Sequence, residues 1–258
     1  MSSTGDSQQR LSTARDFGLG VPTGIGLPGE SSGILHPPRR WSGRTAPTMA
    51  IGYEVMVTPL QLAMAYAAVA NDGVLMRPQL VKSITDTDGR VVFQSRPEPV
   101  RRVMEPSVAR TIRQFMRRVM TDGTGKSADL EWVEAGGKTG TAEKLVGGQY
   151  SGNKHYASFV GIAPYDAPEI VCMILIDEPQ GSTFGGSAAA PVFKEVLESV
   201  GRLRDARLSP DYKTMLVVAP PLDPIGLGPG DVEADEARPE LPQMLSPDGG
   251  VPELRGQP

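Results

Sequence analysis

A lysine and two threonines stand close together at residues 138–141, in the order Lys138-Thr139-Gly140-Thr141. The lysine supplies a positive charge with hydrogen-bond donors, and each threonine supplies a hydroxyl group. Gly140 carries no side chain that would keep a ligand away from the backbone. Because an apolar strand begins here, we expect these groups to lie at a strand edge and to hold an anionic substrate. The chemistry that this pattern indicates is acyl transfer.

Several sequence blocks on both sides of these residues form a longer pattern. They are DFGLG (16–20), TGIGLPGE (23–30), GY (52–53), VTPLQLA (57–63), ANDG (70–73), GKTGTAEK (137–144), YASFVGIAP (156–164), IDEP (176–179), GG (185–186) and APVF (190–193). The Lys-Thr-Gly triplet is one of three motifs of active-site serine penicillin-binding proteins and β-lactamases. Roughly residues 16–200 resemble the transpeptidase domain of class B penicillin-binding proteins, most closely the septal cell-division type.

The resemblance implies an α/β (α+β) fold, shared by penicillin-binding proteins and serine β-lactamases, in which helices flank an antiparallel sheet. In that family a serine attacks the D-Ala-D-Ala carbonyl of a peptidoglycan stem peptide and passes the acyl group to the amine of another. By resemblance, Lys138 is catalytic through its charge and through proton transfer. Thr139, Gly140 and Thr141 bind the substrate, since Thr139 fixes the strand edge and Thr141 binds the carboxylate. The Thr141 N–H would be one of two oxyanion donors.

The family's nucleophilic serine and its S-x-N element precede Lys-Thr-Gly, and we find neither in place. The fold is therefore expected to be incomplete at its N-terminal side, with part of the sheet uncovered. Residues 151–154 (Ser-Gly-Asn-Lys) match S-x-x-K, but they follow the Lys-Thr-Gly triplet and have the composition of a loop. With 18 serines and seven lysines, about half a match is expected by chance. We interpret Ser151 as part of a solvated loop and expect this chain alone not to be acylated.

Two other functions remain open. A chain without the serine fits a non-catalytic binding or scaffold module of the division machinery. A serine β-lactamase or D,D-carboxypeptidase relative has the same fold. By resemblance, the partners are peptidoglycan stem peptides, β-lactam antibiotics and membrane cell-division proteins, and no cofactor is implied.

Local patterns predict the elements around the motif. Thr58-Pro59 begins a buried helix that runs through Ala70, because Thr58 and Gln61 form a capping box. Glu105-Pro106 begins a second helix that ends at about Met120. Its predicted inward face is Val108, Ile112, Phe115, Met116 and Val119, with Arg110, Arg113, Arg117 and Arg118 mostly on the other face.

A β-rich region follows the motif. Residues 156–163 and 169–176 predict an antiparallel hairpin next to the motif strand, and the second run is apolar enough to be buried on both faces. Residues 188–203 predict a closing helix whose inward stripe is Val192, Phe193, Val196, Leu197 and Val200.

Other chemistry is not indicated. His36 and His155 lack metal-ligand spacing, and Cys172, the only cysteine, lies in an apolar run where a buried thiol is expected. The run Gly125-Lys126-Ser127 lacks the first glycine of a phosphate-binding loop, since residue 120 is Met120. A net charge of -4 and the absence of a binding motif argue against nucleic acid.

Composition and the resemblance together divide the chain into four parts. We expect a polar lead at residues 1–15, a partial transpeptidase domain at 16–205 and a Pro-rich acidic linker at 206–248. Residues 250–256 (GVPELRG) resemble the opening of a PASTA module, so we expect the start of such a module at 249–258. Residues 1–10 contain no apolar signal, and the longest apolar run, residues 62–70, is too short to span a bilayer. The resemblance implies a location outside the plasma membrane, held by an anchor upstream.

Overall fold

The structure, a computed structural model, describes residues 4–49 and 51–208. Its helices are α1 (Thr4–Asp16), α2 (Thr45–Met49), α3 (Pro59–Ala70), α4 (Pro106–Thr121) and α5 (Gly185–Leu208). Its strands are β1 (Ile34–Leu35), β2 (Val55–Met56), β3 (Val74–Met76), β4 (Ser83–Thr85), β5 (Val91–Gln94), β6 (Pro99–Arg102), β7 (Gly136–Val146), β8 (Gln149–Ala163) and β9 (Ile170–Asp177). The pairs are all antiparallel, which confirms the predicted α/β (α+β) class.

The central sheet has the order β7-β8-β9. Strands β7 and β8 are joined at Gly147-Gly148, and both glycines have a positive φ, which glycine adopts without steric cost. Strands β8 and β9 form the predicted hairpin, with Ala157 opposite Ile176 and Ala163 opposite Ile170. The prediction of three neighbouring strands is therefore confirmed.

The prediction that β9 is buried on both faces is wrong. Its residues are only partly buried or exposed, and Leu175 is 43% exposed. Within the described residues β9 is an edge strand that pairs with β8 alone. Its apolar run fits a covered strand, but helices α3 and α5 cover its two faces only in part.

The predicted start of α3 is confirmed by a complete capping box. The Gln61 backbone N–H donates to the Thr58 hydroxyl, and the Thr58 N–H donates to Gln61 Oε1. The Gln61 amide also donates to the carbonyls of Val21 and Ser32 at 2.7 and 2.8 Å. Gln61 is fully buried. Its side chain therefore caps the start of α3 and also binds the preceding loop through hydrogen bonds that are shielded from water.

Helix α4 begins where predicted, but the predicted division of its faces is partly wrong. Val108 and Phe115, expected inside, are 48% and 62% exposed. Arg113, expected in solvent, is 4% exposed. Its guanidinium donates to the carbonyl of Val69 and to the carboxylate of Asp72, both at 2.9 Å. Hydrogen bonding, which periodicity does not register, places this arginine inside.

Helix α5 covers one face of the central sheet and begins three residues before the predicted range. Phe193 and Leu197 are fully buried, whereas Val196, predicted inside, is 38% exposed. The sheet carries two glycines under this helix, Gly137 and Gly161, which lie opposite each other. A Cβ on Gly161 would lie 2.4 Å from the Phe193 ring, and one on Gly137 would lie 2.3 Å from the Phe159 ring. The two aromatic rings therefore occupy the space that side chains at positions 137 and 161 would need.

Two small strand pairs, β3 with β6 and β4 with β5, form one long hairpin between α3 and α4. Its outer part, residues 79–94, is exposed at every position, and we call it the arm. The turn at its tip is closed by Asp86, whose carboxylate accepts from the N–H groups of Asp88 and Arg90.

Within the described residues, no helix combines the length and apolar character needed to cross a membrane. The predicted PASTA start at residues 249–258 lies outside the described residues, and so does the predicted linker from residue 209 onward.

Candidate active site

The Lys-Thr-Gly-Thr motif lies near the start of β7, at an edge of the central sheet. Strand β8 pairs with one side of β7, with Lys138 opposite Val160 and Thr141 opposite Ala157. In the described part of the chain, no strand pairs with the other side. The prediction that residues 138–141 lie at a strand edge is confirmed. An extended ligand can therefore reach unpaired backbone groups of β7.

The pleat of β7 separates the lysine from the threonines. Successive side chains of a strand point to opposite faces, so Thr139 and Thr141 share one face, while Lys138 and Gly140 share the other. Lys138 is exposed, and its ammonium donates to the carbonyl of Thr139 at 2.6 Å. The structure therefore brings the two threonines together and places the lysine apart from them.

Helix α5 begins against the threonine face. The Gly185 N–H donates to the Thr141 hydroxyl at 3.2 Å. A Cβ on Gly185 would lie 2.3 Å from the carbonyl oxygen of Ser158 and 2.4 Å from that of Gly140, so only glycine permits this approach. Because the Thr141 oxygen accepts from the backbone, its own proton is left to donate to a ligand.

A turn between α4 and β7 completes the threonine side of the site. It spans residues 123–128 and ends in a short 3-10 helix, Lys126–Ala128. The hydroxyl oxygens of Thr124 and Thr139 lie 2.7 Å apart, and the Ser127 hydroxyl donates to the Gly186 carbonyl. This turn thus holds the motif strand with one hydroxyl and the start of α5 with another.

The strand, the helix start and the turn border an open groove with a volume of about 400 Å³. It is lined by Gly123, Thr124, Lys126, Ser127, Thr139, Thr141, Phe184, Gly185, Gly186 and Ser187. Hydroxyl groups and one ammonium predominate among the polar groups, and no carboxylate is among these lining residues. The volume is within the usual range of small-molecule sites, and the chemistry of the lining suits a carboxylate ligand.

The turn at residues 123–128 borders the groove although no motif in the sequence indicates it. Gly125-Lys126-Ser127 does not complete a nucleotide loop, and Thr124 belongs to none of the sequence blocks above. One signal was available, because Thr124 precedes Thr139 by only 15 residues. A glycine-rich turn so soon before the motif strand could have been expected to return to its edge.

Ser151 lies in β8 and not in a loop, so its predicted setting is wrong. It pairs with Lys144, just after the Gly147-Gly148 turn. Since residues 149–163 form a strand, Ser151 and Lys154 are not one helical turn apart, as an S-x-x-K pair requires. Its rejection as a nucleophile remains a prediction.

The remaining candidate residues lie away from the groove lining. Cys172 lies in β9 and is partly buried, and this burial raises the pKa of its thiol. His155 lies in β8, and its buried Nδ1 has no hydrogen-bond partner among the described residues. His36 lies just after β1.

An ion-pair cluster links the outer part of the β7-β8 hairpin to the end of β9. The Lys144 ammonium lies 2.7 Å from Asp177 and 2.8 Å from Glu178, and Lys154 lies 3.2 Å from Glu178. Hydrogen bonds to Asp177 and then Glu178 raise the pKa of Lys144. The hydrogen bond from Lys144, followed by that from Lys154, lowers the pKa of Glu178.

Comparison with known proteins shows the family of the chain. Residues 5–198 match the family model described as the penicillin binding protein transpeptidase domain. The chain belongs to this family. This transpeptidase domain is 42% identical over 208 residues to penicillin-binding protein PbpB of Mycolicibacterium smegmatis, covering 76% of this chain and 32% of the relative. It is 37% identical over 211 residues to peptidoglycan D,D-transpeptidase FtsI of Escherichia coli, covering 81% of this chain and 34% of the relative.

A solved structure agrees with these sequence matches. The transpeptidase domain is similar to penicillin binding protein 3 from Mycobacterium tuberculosis complexed with aztreonam, with a TM-score of 0.70 and 35% identity. That match covers 77% of this chain and 46% of the solved chain. The predicted resemblance and fold are confirmed. The transpeptidase domain spans about a third of the length of the curated relatives above.

Proposed function

We propose that this transpeptidase domain binds the C-terminal carboxylate of a peptidoglycan stem peptide and contributes to D,D-transpeptidation. One observation carries the proposal, namely that the unpaired edge of β7 presents Thr139 and Thr141 to a groove lined by hydroxyl groups and an ammonium. A peptide ending in D-Ala-D-Ala can lie along this edge in an extended form, with its carboxylate among the hydroxyl groups. A β-lactam that mimics the peptide would occupy the same place.

Each motif residue has a separate task in this proposal. Thr141 accepts from Gly185 and donates its own proton to the carboxylate, while its backbone N–H stabilises the oxyanion. Thr139 is held in position by Thr124, and Gly140 leaves the backbone open. Lys138, on the opposite face, supplies positive charge and assists proton transfer at the acylating serine.

The acylating serine belongs to a segment outside the described site. The pattern S-x-x-K occurs in the sequence only at residues 151–154, and these residues lie in strand β8. Loss of a triad-type nucleophile lowers the rate by on the order of 10⁶. The reaction of the intact enzyme takes place on peptidoglycan, so we place the domain on the outer side of the plasma membrane, beside membrane division proteins.

The binding step can be tested by NMR titration of the ¹⁵N-labelled chain with N-acetyl-D-alanyl-D-alanine. We expect the amide signals of residues 139–141 and 185 to shift. Thr141→Val should weaken binding about tenfold, because it removes a hydrogen bond to a charged group, whereas Thr141→Ser should retain it. Thr87→Val, an exposed change in the arm, is the matched control.

Two outcomes would count against the proposal. Shifts that avoid β7 and the start of α5 would place the ligand elsewhere. Binding that is equally strong in Thr141→Val would remove the role of the hydroxyl. In a separate reaction with fluorescent penicillin, we expect no covalent band on this chain, and an adduct mapped to Ser151 would contradict that expectation.

A further inference from the structure

Lys138 does not line the groove that Thr139 and Thr141 face. It stands on the opposite face of β7, because its position in the strand differs by one from that of each threonine. Its ammonium is turned back onto its own strand and donates to the Thr139 carbonyl. A carboxylate held by the two threonine hydroxyls would therefore need a cation other than Lys138 as its partner.

Lys126 lines that groove instead. The backbone around it is fixed at several points: the Gly125 N–H donates to the Val119 carbonyl at 2.9 Å, the Ser127 hydroxyl binds Gly186, and Ala128 is fully buried. The side chain of Lys126 is exposed. Within the described residues it makes no ion pair.

The charge balance of the groove also favours an anion. Lys126 is the single ionisable side chain among the ten residues that line the groove. Its charge is therefore not neutralised by any carboxylate in the lining. The threonine hydroxyls on the neighbouring strand, Thr139 and Thr141, supply donors but no charge. A carboxylate placed between them and Lys126 would gain both hydrogen bonds and an ion pair.

We propose that Lys126, and not Lys138, is the cation that pairs with the substrate carboxylate in this groove. This assignment rests on the proposed function, and it makes Lys126 a binding residue that favours peptides with a free C-terminal carboxylate. Lys138 keeps its role on the other face, beside the acylating serine. The sequence motif and the charge that selects the substrate thus come from two different segments of the chain.

The test compares two ligands that differ only in charge. The ¹⁵N-labelled chain is titrated by NMR with N-acetyl-D-alanyl-D-alanine and with the amide of the same dipeptide. We expect Lys126→Gln to weaken binding of the acid about fivefold, as for one partly solvated ion pair, and to leave binding of the amide unchanged. Lys126→Arg should restore the preference for the acid. Lys82→Gln, which removes a lysine from the arm, is the matched control.

The outcomes separate this assignment from the function on which it rests. If Lys126→Gln keeps the full preference for the acid, or if Lys138→Gln alone removes it, the assignment is wrong and the proposed function stands. If neither ligand shifts the amide signals of residues 139–141, both are wrong. A general loss of structure in Lys126→Gln would alter signals throughout the spectrum and weaken both ligands equally, which also contradicts a role in charge recognition.

Discussion

Arg113 joins two helices through a buried guanidinium. The last carbonyls of a helix have no partner within it, and Arg113 donates to one of these at the end of α3, the carbonyl of Val69. Asp72, which follows α3 with a φ of 48°, binds the same guanidinium. The side chain of Arg113 is 5% exposed, whereas that of Asp72 is 54% exposed. The carbonyl contact is therefore the better shielded of the two.

Replacement of Arg113 by methionine should destabilise the domain. Arg113→Met leaves the Val69 carbonyl buried without a donor, and we expect the free energy of unfolding to fall by about 2–3 kcal/mol. Arg110→Met, an exposed change on the same helix, should alter it by less than about 0.5 kcal/mol. Urea unfolding followed by circular dichroism measures both, and equal midpoints for the two variants would show that the buried contact has no net effect.

At the same scale, the motif shows which part of the site the sequence could predict. Lys138 to Thr141 could be placed at a strand edge, because the motif and the β-rich runs that follow it lie within one short stretch of the sequence. The face of each side chain follows from the pleat, but which face borders a groove depends on where α5 and the turn with Thr124 pack. The contact between Gly185 and Thr141 joins residues 44 positions apart, which no local pattern registers.

Among the elements, the outer part of the β7-β8 hairpin is joined to the end of β9 by the Lys144 cluster, beside a backbone hydrogen bond from the Glu178 N–H to the His155 carbonyl. The pKa of Glu178 is lowered, so its contribution is present above its ordinary value of 4.5 and is lost as the pH falls through the folded value. The pKa of Lys144 is raised, so its contribution is present below 10.5 and is lost at higher pH. The cluster should therefore stabilise the hairpin fully between these two limits.

This pH dependence can be measured with Lys144→Met. The difference in Tm between wild type and variant should be constant near neutral pH and should shrink as the pH falls below 4.5. Lys82→Met, in the arm, controls for loss of one positive charge. A difference that persists unchanged at pH 3 would show that the packing of Lys144 against the Tyr156 ring, 5.0 Å away, matters more than its ion pairs.

Elements were predictable to the extent that their signals are local. The start of α3 follows from Thr58 and Gln61, which are three residues apart and satisfy each other. The face of α4 was mispredicted because periodicity counts apolar side chains and does not register a guanidinium that finds two acceptors on another helix. Phe115, although apolar, is left exposed.

At the scale of the whole molecule, the arm exposes several large apolar side chains close together. Leu80, Val81, Ile84 and the run Val91-Val92-Phe93 are all between 47% and 63% exposed. A two-stranded hairpin alone is marginally stable in water, and exposed apolar strands favour association. We therefore expect the arm to promote self-association of the isolated chain.

Two changes in the arm test this expectation. The double variant Val92→Thr, Phe93→Ser should reduce self-association, measured by analytical ultracentrifugation, and should shift Tm by only a few degrees. Phe193→Ala, in the core, is the comparison that should lower stability by about 3–5 kcal/mol. If the free energy of unfolding falls as much in the arm variant as in Phe193→Ala, the apolar side chains of the arm stabilise the fold and are not a separate surface for self-association.

The family and fold of the molecule could be predicted, since the sequence blocks recur in a fixed order, and the match over residues 5–198 bears this out. The exposure of the arm could not. Its apolar run Val91-Val92-Phe93 favours a strand, but the sequence of a strand does not indicate whether another surface covers it.

The paired glycines Gly137 and Gly161 leave room for two aromatic rings beneath helix α5. Where their side chains would stand, the rings of Phe159 and Phe193 lie against the sheet, so α5 sits closer to β7 than ordinary side chains would allow. The first turn of α5 can then reach the Thr141 hydroxyl. The contact between the start of α5 and Thr141 therefore depends on two core positions without side chains, and neither of them is among the residues that line the groove.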